Sequence, residues 1–246
     1  LNLFLKTPNA VEKSGQNLDT FVPNPTLKDP HSVNAFRAAG RLIALAVRSQ
    51  QYNSFKLAPM IWDLLTSTHL SESEDDQLRV LEQIDSVSAK ELKRVRDGSK
   101  DEWCDMESFS VVNSAGETIK LLDETEDRPV TFEERELYFR LALRHRMCEF
   151  DKAVEAIRIG LHDLIPERVV RFLSGRDLEF FACGEPDLDI ELLKEHTAYQ
   201  GPGNWKGSVA VKFFWQSLES MNNNERSQVL RFIWGRKKLP RRDVWS

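Results

Sequence analysis

Apolar residues recur every three or four positions through most of this 246-residue chain. That spacing places them on one side of an α-helix, so the sequence predicts a succession of amphipathic helices packed around a core. With 41% hydrophobic residues, the chain can bury a core large enough for one large domain or two modest ones. We therefore expect an ordered, mostly helical fold.

Capping signals locate the starts of two long helices. Ser32 is the predicted N-cap of the first, and Thr131, with a glutamate three residues on, forms a predicted capping box for the second. Leu137, Leu141 and Met147 lie on the predicted apolar side of that second helix. The pattern predicts further helices at 57–66, 75–84, 86–95, 150–162, 166–174, 176–182, 189–196, 208–220 and 224–233.

Two segments depart from the helical pattern. Residues 109–112 and 118–122 read as two short strands around a turn, which makes the predicted fold class α+β. Farther on, two glycines and a proline favour neither a helix nor a strand, so we expect a domain boundary and hinge there. The predicted hinge residues are Gln200, Gly201, Pro202, Gly203 and Asn204.

Charge and hydropathy narrow the classes of partner. The net charge of -5 provides no general attraction for nucleic acid or for an anionic membrane surface, so neither is an expected partner. No apolar run reaches the roughly 18 residues that a membrane-spanning helix requires. We expect a cytoplasmic or nuclear protein without a membrane span.

The cysteines and histidines suggest neither a metal site nor a catalytic group. Cys104, Cys148 and Cys183 are odd in number and far apart, without zinc-ligand spacing, and we assign all three structural roles. The sequence contains no phosphate-binding loop, no nucleophile elbow and no zinc-protease helix motif. We therefore predict no cofactor, no metal and no catalytic residue within the chain.

Several short segments are unspecific when each is taken alone, but their order along the chain is specific. They are Thr7-Pro8-Asn9, Phe21 to Pro25, Gly40 to Ala46, Pro129-Val130-Thr131, Ile159-Gly160-Leu161, Ile165-Pro166, Glu179 to Asp189, Phe214-Trp215, and Arg231 to Arg236 with Leu239-Pro240. In this order they resemble the HECT domain of ubiquitin ligases across essentially the whole chain.

The resemblance implies an activity and a division into lobes. HECT ligases accept ubiquitin from a conjugating enzyme as a thioester on a cysteine of their C-terminal lobe, and then transfer it to a lysine of a substrate protein. That cysteine stands in a Thr-Cys-Phe-like motif, which this sequence lacks, so we expect the chain alone to be inactive. The implied parts are a large N-lobe subdomain at 1–85 and 165–199, a small N-lobe subdomain at 86–164, the hinge at 200–204, and the start of a C-lobe at 205–246.

In this family the small subdomain binds the conjugating enzyme. Tyr138, Leu141 and Ala142 occupy the corresponding helix, and Leu92 and Val95 are weaker candidates, so we predict a contact at these positions. We expect Tyr138 to be an exposed aromatic anchor, and the alternative is that Tyr138 and Leu141 are core residues. For the whole chain, the alternative is an inactive HECT-like helical scaffold or interaction module.

Overall fold

Helices dominate the computed structural model, which describes residues 2–66, 73–100, 103, 108–122, 129–184, 188–200 and 207–234. The helices are α1 (Pro8–Glu12), α2 (Pro30–Ser49), α3 (Pro59–Thr66), α4 (Glu74–Glu82), α5 (Ser86–Asp97), α6 (Arg135–Cys148), α7 (Asp151–His162), α8 (Glu167–Val170), α9 (Gly175–Cys183), α10 (Ile190–Glu195), α11 (Val209–Ser220) and α12 (Asn223–Trp234). The strands are β1 (Phe4–Lys6), β2 (Phe21–Pro23), β3 (Ser110–Val112) and β4 (Thr118–Lys120). None of the described helices is both long and apolar enough to cross a membrane.

The four strands form two antiparallel pairs, which confirms a mostly helical α+β fold. β1 pairs with β2 near the start of the chain. β3 and β4 form the predicted hairpin, with Val111 opposite Ile119. The Asn113 side-chain oxygen closes the turn by accepting from the backbone N–H groups of Ala115 and Glu117, both at 2.9 Å. Gly116 adopts a φ of 80°, a conformation that glycine enters without strain.

The predicted capping box at α6 is present, but the predicted cap of α2 is wrong. The N–H and hydroxyl of Thr131 both donate to the Glu134 carboxylate, and a 3₁₀ turn then leads into α6. α2 begins at Pro30, two residues before Ser32. Because proline suits the first helical position, the preceding Asp29 takes the capping role and accepts from the Ser32 N–H at 3.0 Å.

The chain divides into two compact units, and each has its own core. The first comprises Leu1–Ala44 and Lys56–Arg176, and the second comprises Leu45–Phe55 and Asp177–Ser246. Large side chains are fully buried in the first unit, among them Phe36, Trp62, Leu81, Phe139 and Phe150. The core of the second unit contains Leu188, Ile190, Trp215, Leu218 and Leu230.

The predicted hinge lies within the second unit. Gln200 is described there, whereas Gly201 to Asn204 lie outside the described residues. Residues on both sides of 200–204 share the second unit's core, and the Trp215 indole N–H donates to the Tyr199 hydroxyl at 2.8 Å. A rotation about 200–204 would have to break these contacts. The division into subdomains and lobes stays a prediction. The shared core restricts any rotation of the residues before 200–204 relative to those after it.

Two glycines allow α2 and α7 to cross at backbone contact distance. A Cβ atom at Gly40 would lie 1.9 Å from the carbonyl oxygen of Ile157, and one at Gly160 would lie 1.9 Å from that of Arg37. No side chain fits at either position while the helices keep this separation. The close crossing explains why the helical pattern contains a glycine at each of these core positions.

Beside this crossing, Asp163 pairs with two arginines of α2. Arg37 donates to both carboxylate oxygens at 2.8 and 2.9 Å, and Arg41 donates to one of them at 2.7 Å. These charged hydrogen bonds lower the pKa of Asp163 to about 2. The pairs are solvent-exposed, which limits their contribution to stability.

This lowered pKa predicts a specific acid response. Because the folded-state pKa of Asp163 lies below its unfolded value, the pairing stabilises the fold above about pH 4. That contribution is lost as the pH falls toward 2. NMR titration of the aspartate carboxyl carbons should place Asp163 near pH 2, and Asp163→Asn should remove this part of the acid dependence of unfolding. A midpoint for Asp163 near 4 would contradict the pairing.

Candidate functional site

The residues predicted to contact a conjugating enzyme lie on α5 and α6, which pack together in the first unit. Most of them are buried. Relative exposure is 6% for Tyr138, 0% for Ala142, 3% for Leu92 and 6% for Val95, while Leu141 is half-buried. The side chains that the sequence singled out therefore belong mainly to the packing between the helices.

Tyr138 is held against the hairpin. Its hydroxyl donates to the backbone carbonyl of Ser110 at 3.0 Å, and its ring meets Phe109 edge-on with 6.0 Å between the centroids. Burial raises the pKa of the Tyr138 hydroxyl, and the charge of Glu91 raises it further. The expectation of an exposed aromatic anchor is wrong, because β3 covers this side of α6. The alternative, a core position, describes Tyr138, and its contact with a partner stays a prediction.

One position earlier on α6, Leu137 points outward. It is 49% exposed, although the sequence pattern placed it on the apolar side of the helix. That expectation is also wrong, because other residues of α6 form the side of the helix that faces the core. Those residues are Phe139, Leu143, Met147 and the aliphatic part of Arg146.

Arg146 lies at the centre of a buried ionic cluster that joins three elements. Its side chain is 1% exposed and contacts Asp85, at the N-terminus of α5, at 3.0 Å. Its Nε atom lies 3.2 Å from Glu149, although their alignment is poor for a hydrogen bond. The guanidinium also donates to the Val112 carbonyl at 2.7 Å and to the Ser114 hydroxyl at 3.2 Å. The cluster therefore ties the hairpin to α5 and α6.

The cluster contains two carboxylates and one guanidinium. Asp85 also caps α5 by accepting from the Ser88 N–H at 2.9 Å, and Glu149 accepts from the Ser114 N–H and hydroxyl at 3.0 and 2.8 Å. Burial raises the pKa of Glu149, against the opposing effects of Arg146 and of the Ser114 hydrogen bonds. The charge of Asp85 also raises the pKa of Glu149, because a second carboxylate nearby disfavours ionisation of the Glu149 carboxyl group.

Neither the role of Arg146 nor the outward position of Leu137 was predicted from the sequence. A signal for Arg146 was available, since it lies three residues after Leu143 and four before Phe150, in the apolar stripe of α6. An arginine at such a position calls for buried acidic partners. Glu149 is only three residues from Arg146, so the sequence could have suggested it as an acidic partner. Asp85 is too far away in sequence to be suggested in this way.

The described cysteines lie in unlike surroundings. Cys183 is 1% exposed and its thiol donates to the Phe55 carbonyl at 3.6 Å, which confirms a packing role. Cys148 is exposed and so is not a core residue, and its structural rather than catalytic role stays a prediction. Partial burial and the adjacent Asp151 carboxylate raise the pKa of the Cys148 thiol. Cys104 lies outside the described residues.

No group of three or more potential metal ligands occurs in the described ranges. Two described histidines, His145 and His162, are partly buried, and burial lowers the pKa of each. Among the described residues, neither is paired with a cysteine or carboxylate in an arrangement that would activate a nucleophile. Within the described residues, the candidate site is therefore the packed junction of α5, α6 and the hairpin.

Comparison with known protein families identifies the family to which this chain belongs. The family model described as "HECT-domain (ubiquitin-transferase)" matches residues 1–244, almost the entire chain. The chain belongs to the HECT family of ubiquitin transferases. This HECT domain sequence contains α5, the hairpin and α6 within the matched range, so the buried ionic cluster is part of the HECT fold in this chain.

The relatives are named ubiquitin ligases. Mouse "E3 ubiquitin-protein ligase HERC2" is 33% identical over 97% of this HECT chain, and the human "Probable E3 ubiquitin-protein ligase HECTD4" is 24% identical over 98%. "E3 ubiquitin-protein ligase pub3" of Schizosaccharomyces pombe is 27% identical over 89%. The chain spans 5% of the length of HERC2, 6% of HECTD4 and 28% of pub3.

Proposed function

We propose that this chain recruits a ubiquitin-loaded conjugating enzyme for a HECT-type ubiquitin-protein ligase. The observation that carries the proposal is the HECT match over residues 1–244. The partners of the parent protein are then a conjugating enzyme, ubiquitin and a substrate protein. We further propose that it works in the cytoplasm or nucleus, since its reaction partners are intracellular.

The proposed reaction of the parent ligase has two steps. A cysteine thiolate of the ligase attacks the carbonyl carbon of the thioester between ubiquitin and the conjugating enzyme, and the conjugating enzyme's thiolate leaves. A substrate lysine amine then attacks the new thioester, loses a proton, and releases the ligase thiolate. Covalent catalysis thereby divides one transfer into two.

We propose that none of the three cysteines here is that nucleophile. A transferring thiol has to be reachable and readily ionised. Cys183 is buried and hydrogen-bonded, and the pKa of Cys148 is raised. Cys104 stands in Trp103-Cys104-Asp105, where the neighbouring acidic residue disfavours a thiolate. We therefore propose that this chain docks the conjugating enzyme, and that another part of the parent protein carries the transferring cysteine.

A thioester assay tests this division of labour. The chain is incubated with ubiquitin-activating enzyme, ATP, ubiquitin and a panel of conjugating enzymes, and the products are separated without reductant. We expect thioesters on the conjugating enzymes and none on this chain. Titration of isotope-labelled chain with the same panel should show binding by at least one member.

Two results would count against the proposal in different ways. A reductant-sensitive ubiquitin adduct on this chain, absent from a Cys148→Ser or Cys104→Ser variant, would show that it carries a transferring cysteine. Absence of binding across a broad panel would instead favour the alternative of an inactive HECT-like scaffold.

A further inference from the structure

A groove runs between α4 and α5, two helices that pack against each other within the first unit. Its cavity volume is about 520 Å³, inside the range of about 300–1,000 Å³ that is typical of ligand pockets. We call it the α4–α5 groove. The residues that line it are Asp75, Leu78, Arg79, Glu82, Ala89, Lys90 and Lys93.

An ion pair shows how the two walls of the groove are aligned. Asp75, in the first turn of α4, contacts Arg96, in the last turn of α5, at 2.8 Å. The helices are therefore antiparallel, and Glu82 lies at the opposite end of the groove from Asp75. These two residues are seven positions apart, which gives a groove length of about 10 Å at the helical rise of about 1.5 Å per residue. About three residues of extended chain span that distance.

The two walls differ in how far their charges are neutralised. On α4, Asp75 and Arg79 already form ion pairs within the first unit. On α5, Lys90 and Lys93 are exposed, and neither forms an ion pair within the ranges that the structure describes. Because they are three residues apart, their side chains lie on the same side of the helix. The α5 wall therefore offers two neighbouring ammonium groups to an occupant.

The remaining lining residues define what an occupant has to look like. Leu78 and Ala89 are buried, and they provide the apolar part of the lining. The carboxylates of Asp75 and Glu82 lie at the two ends, so they repel a densely charged polyanion such as nucleic acid. A short segment with one or two carboxylates beside an apolar side chain meets both conditions, since it pairs with the lysines and covers the apolar lining.

We propose that the α4–α5 groove binds a short acidic peptide segment of a partner protein. A carboxylate of the peptide lies between Lys90 and Lys93, and a neighbouring apolar side chain lies against Leu78 and Ala89. The residues predicted to contact the conjugating enzyme do not line the groove. This inference therefore goes beyond the proposed function and assigns a second binding surface to the same unit.

Titration with synthetic peptides tests the proposal. The probes are the capped peptide Gly-Asp-Leu-Glu-Leu-Asp-Gly and its charge-reversed analogue Gly-Lys-Leu-Lys-Leu-Lys-Gly, each added to the isotope-labelled chain and followed by NMR. We expect saturable shifts of the α4 and α5 amides with the acidic peptide alone, and weaker binding at high salt. Lys90→Glu and Lys93→Glu should each weaken that binding about fivefold or more.

Lys152→Glu is the matched control. It makes the same charge change at an exposed position of α7, and it should bind the acidic peptide like the wild type. All three lysines are exposed, so circular dichroism should show that the variants remain folded. Absence of saturable shifts in α4 and α5, or equal weakening by Lys152→Glu, would overturn the proposal. Equally tight binding of inorganic pyrophosphate would overturn the peptide as the occupant. No conjugating enzyme takes part in the titration, so none of these results bears on the proposed function.

Discussion

Replacing Arg146 by methionine should lower the free energy of unfolding by about 3–5 kcal/mol, since removal of one member strands the rest of a buried ionic cluster. Asp85 and Glu149, with side chains 6% and 1% exposed, would lose their shared cation. The Val112 carbonyl would also lose its 2.7 Å hydrogen bond. Denaturant unfolding followed by circular dichroism measures the loss, and hydrogen exchange of the α6 amides assigns it to the first unit.

A matched variant lies on the same helix. Arg144→Met makes the same chemical change at an exposed position without an ion pair among the described residues, and should alter stability by less than about 0.5 kcal/mol. Equal effects of the two variants would refute the special role of Arg146. In Arg146→Met, further replacement of Glu149 by leucine should recover part of the loss, because one stranded carboxylate is then absent.

The stability of Arg146→Met should also depend on pH in a defined direction. Burial already raises the pKa of Glu149, and removal of the guanidinium takes away an opposing effect. A carboxyl whose folded-state pKa is raised stabilises the fold below its unfolded pKa and loses that contribution as the pH rises through the folded value. The difference between variant and wild type should therefore be larger at about pH 8 than at about pH 5.

Gly160→Ala should be the second most damaging change, with a loss of about 3 kcal/mol or more. Its new methyl group would lie 1.9 Å from the Arg37 carbonyl oxygen, a backbone atom that moves only if α2 and α7 separate. Alanine favours helices over glycine by about 1 kcal/mol, which is too little to offset that separation. Thermal and denaturant unfolding measure the net effect.

The other side of the crossing offers a reciprocal test. Gly40→Ala places a methyl group 1.9 Å from the Ile157 carbonyl oxygen and should cost a similar amount. Ala38→Leu, on an exposed position of α2, adds more atoms than either substitution but should change stability by less than about 0.5 kcal/mol. A stabilising effect of Gly160→Ala would mean that the helices do not cross this closely.

Local patterns were enough to predict most of the elements. The hairpin, the capping box at Thr131 and most helices follow from interactions among residues close in sequence. The cap of α2 was misplaced by three residues because Pro30 sets the helix start and Asp29 then provides the acceptor. The helix predicted at 166–174 ends at Val170, where i→i+3 turns take over, as in the Phe172 N–H to Val169 carbonyl bond.

The chain's sequence by itself determined the order of its helices, the hairpin and its membership of the HECT family, because periodicity, capping and ordered motifs are properties of the linear chain. Only the tertiary structure decided that Tyr138 is buried while Leu137 is exposed. These neighbours differ by about 100° around α6, and the side that faces the core depends on where the hairpin and α5 pack. The same packing decides that the charge of Arg146 is buried, since Asp85 reaches it from a distant part of the chain.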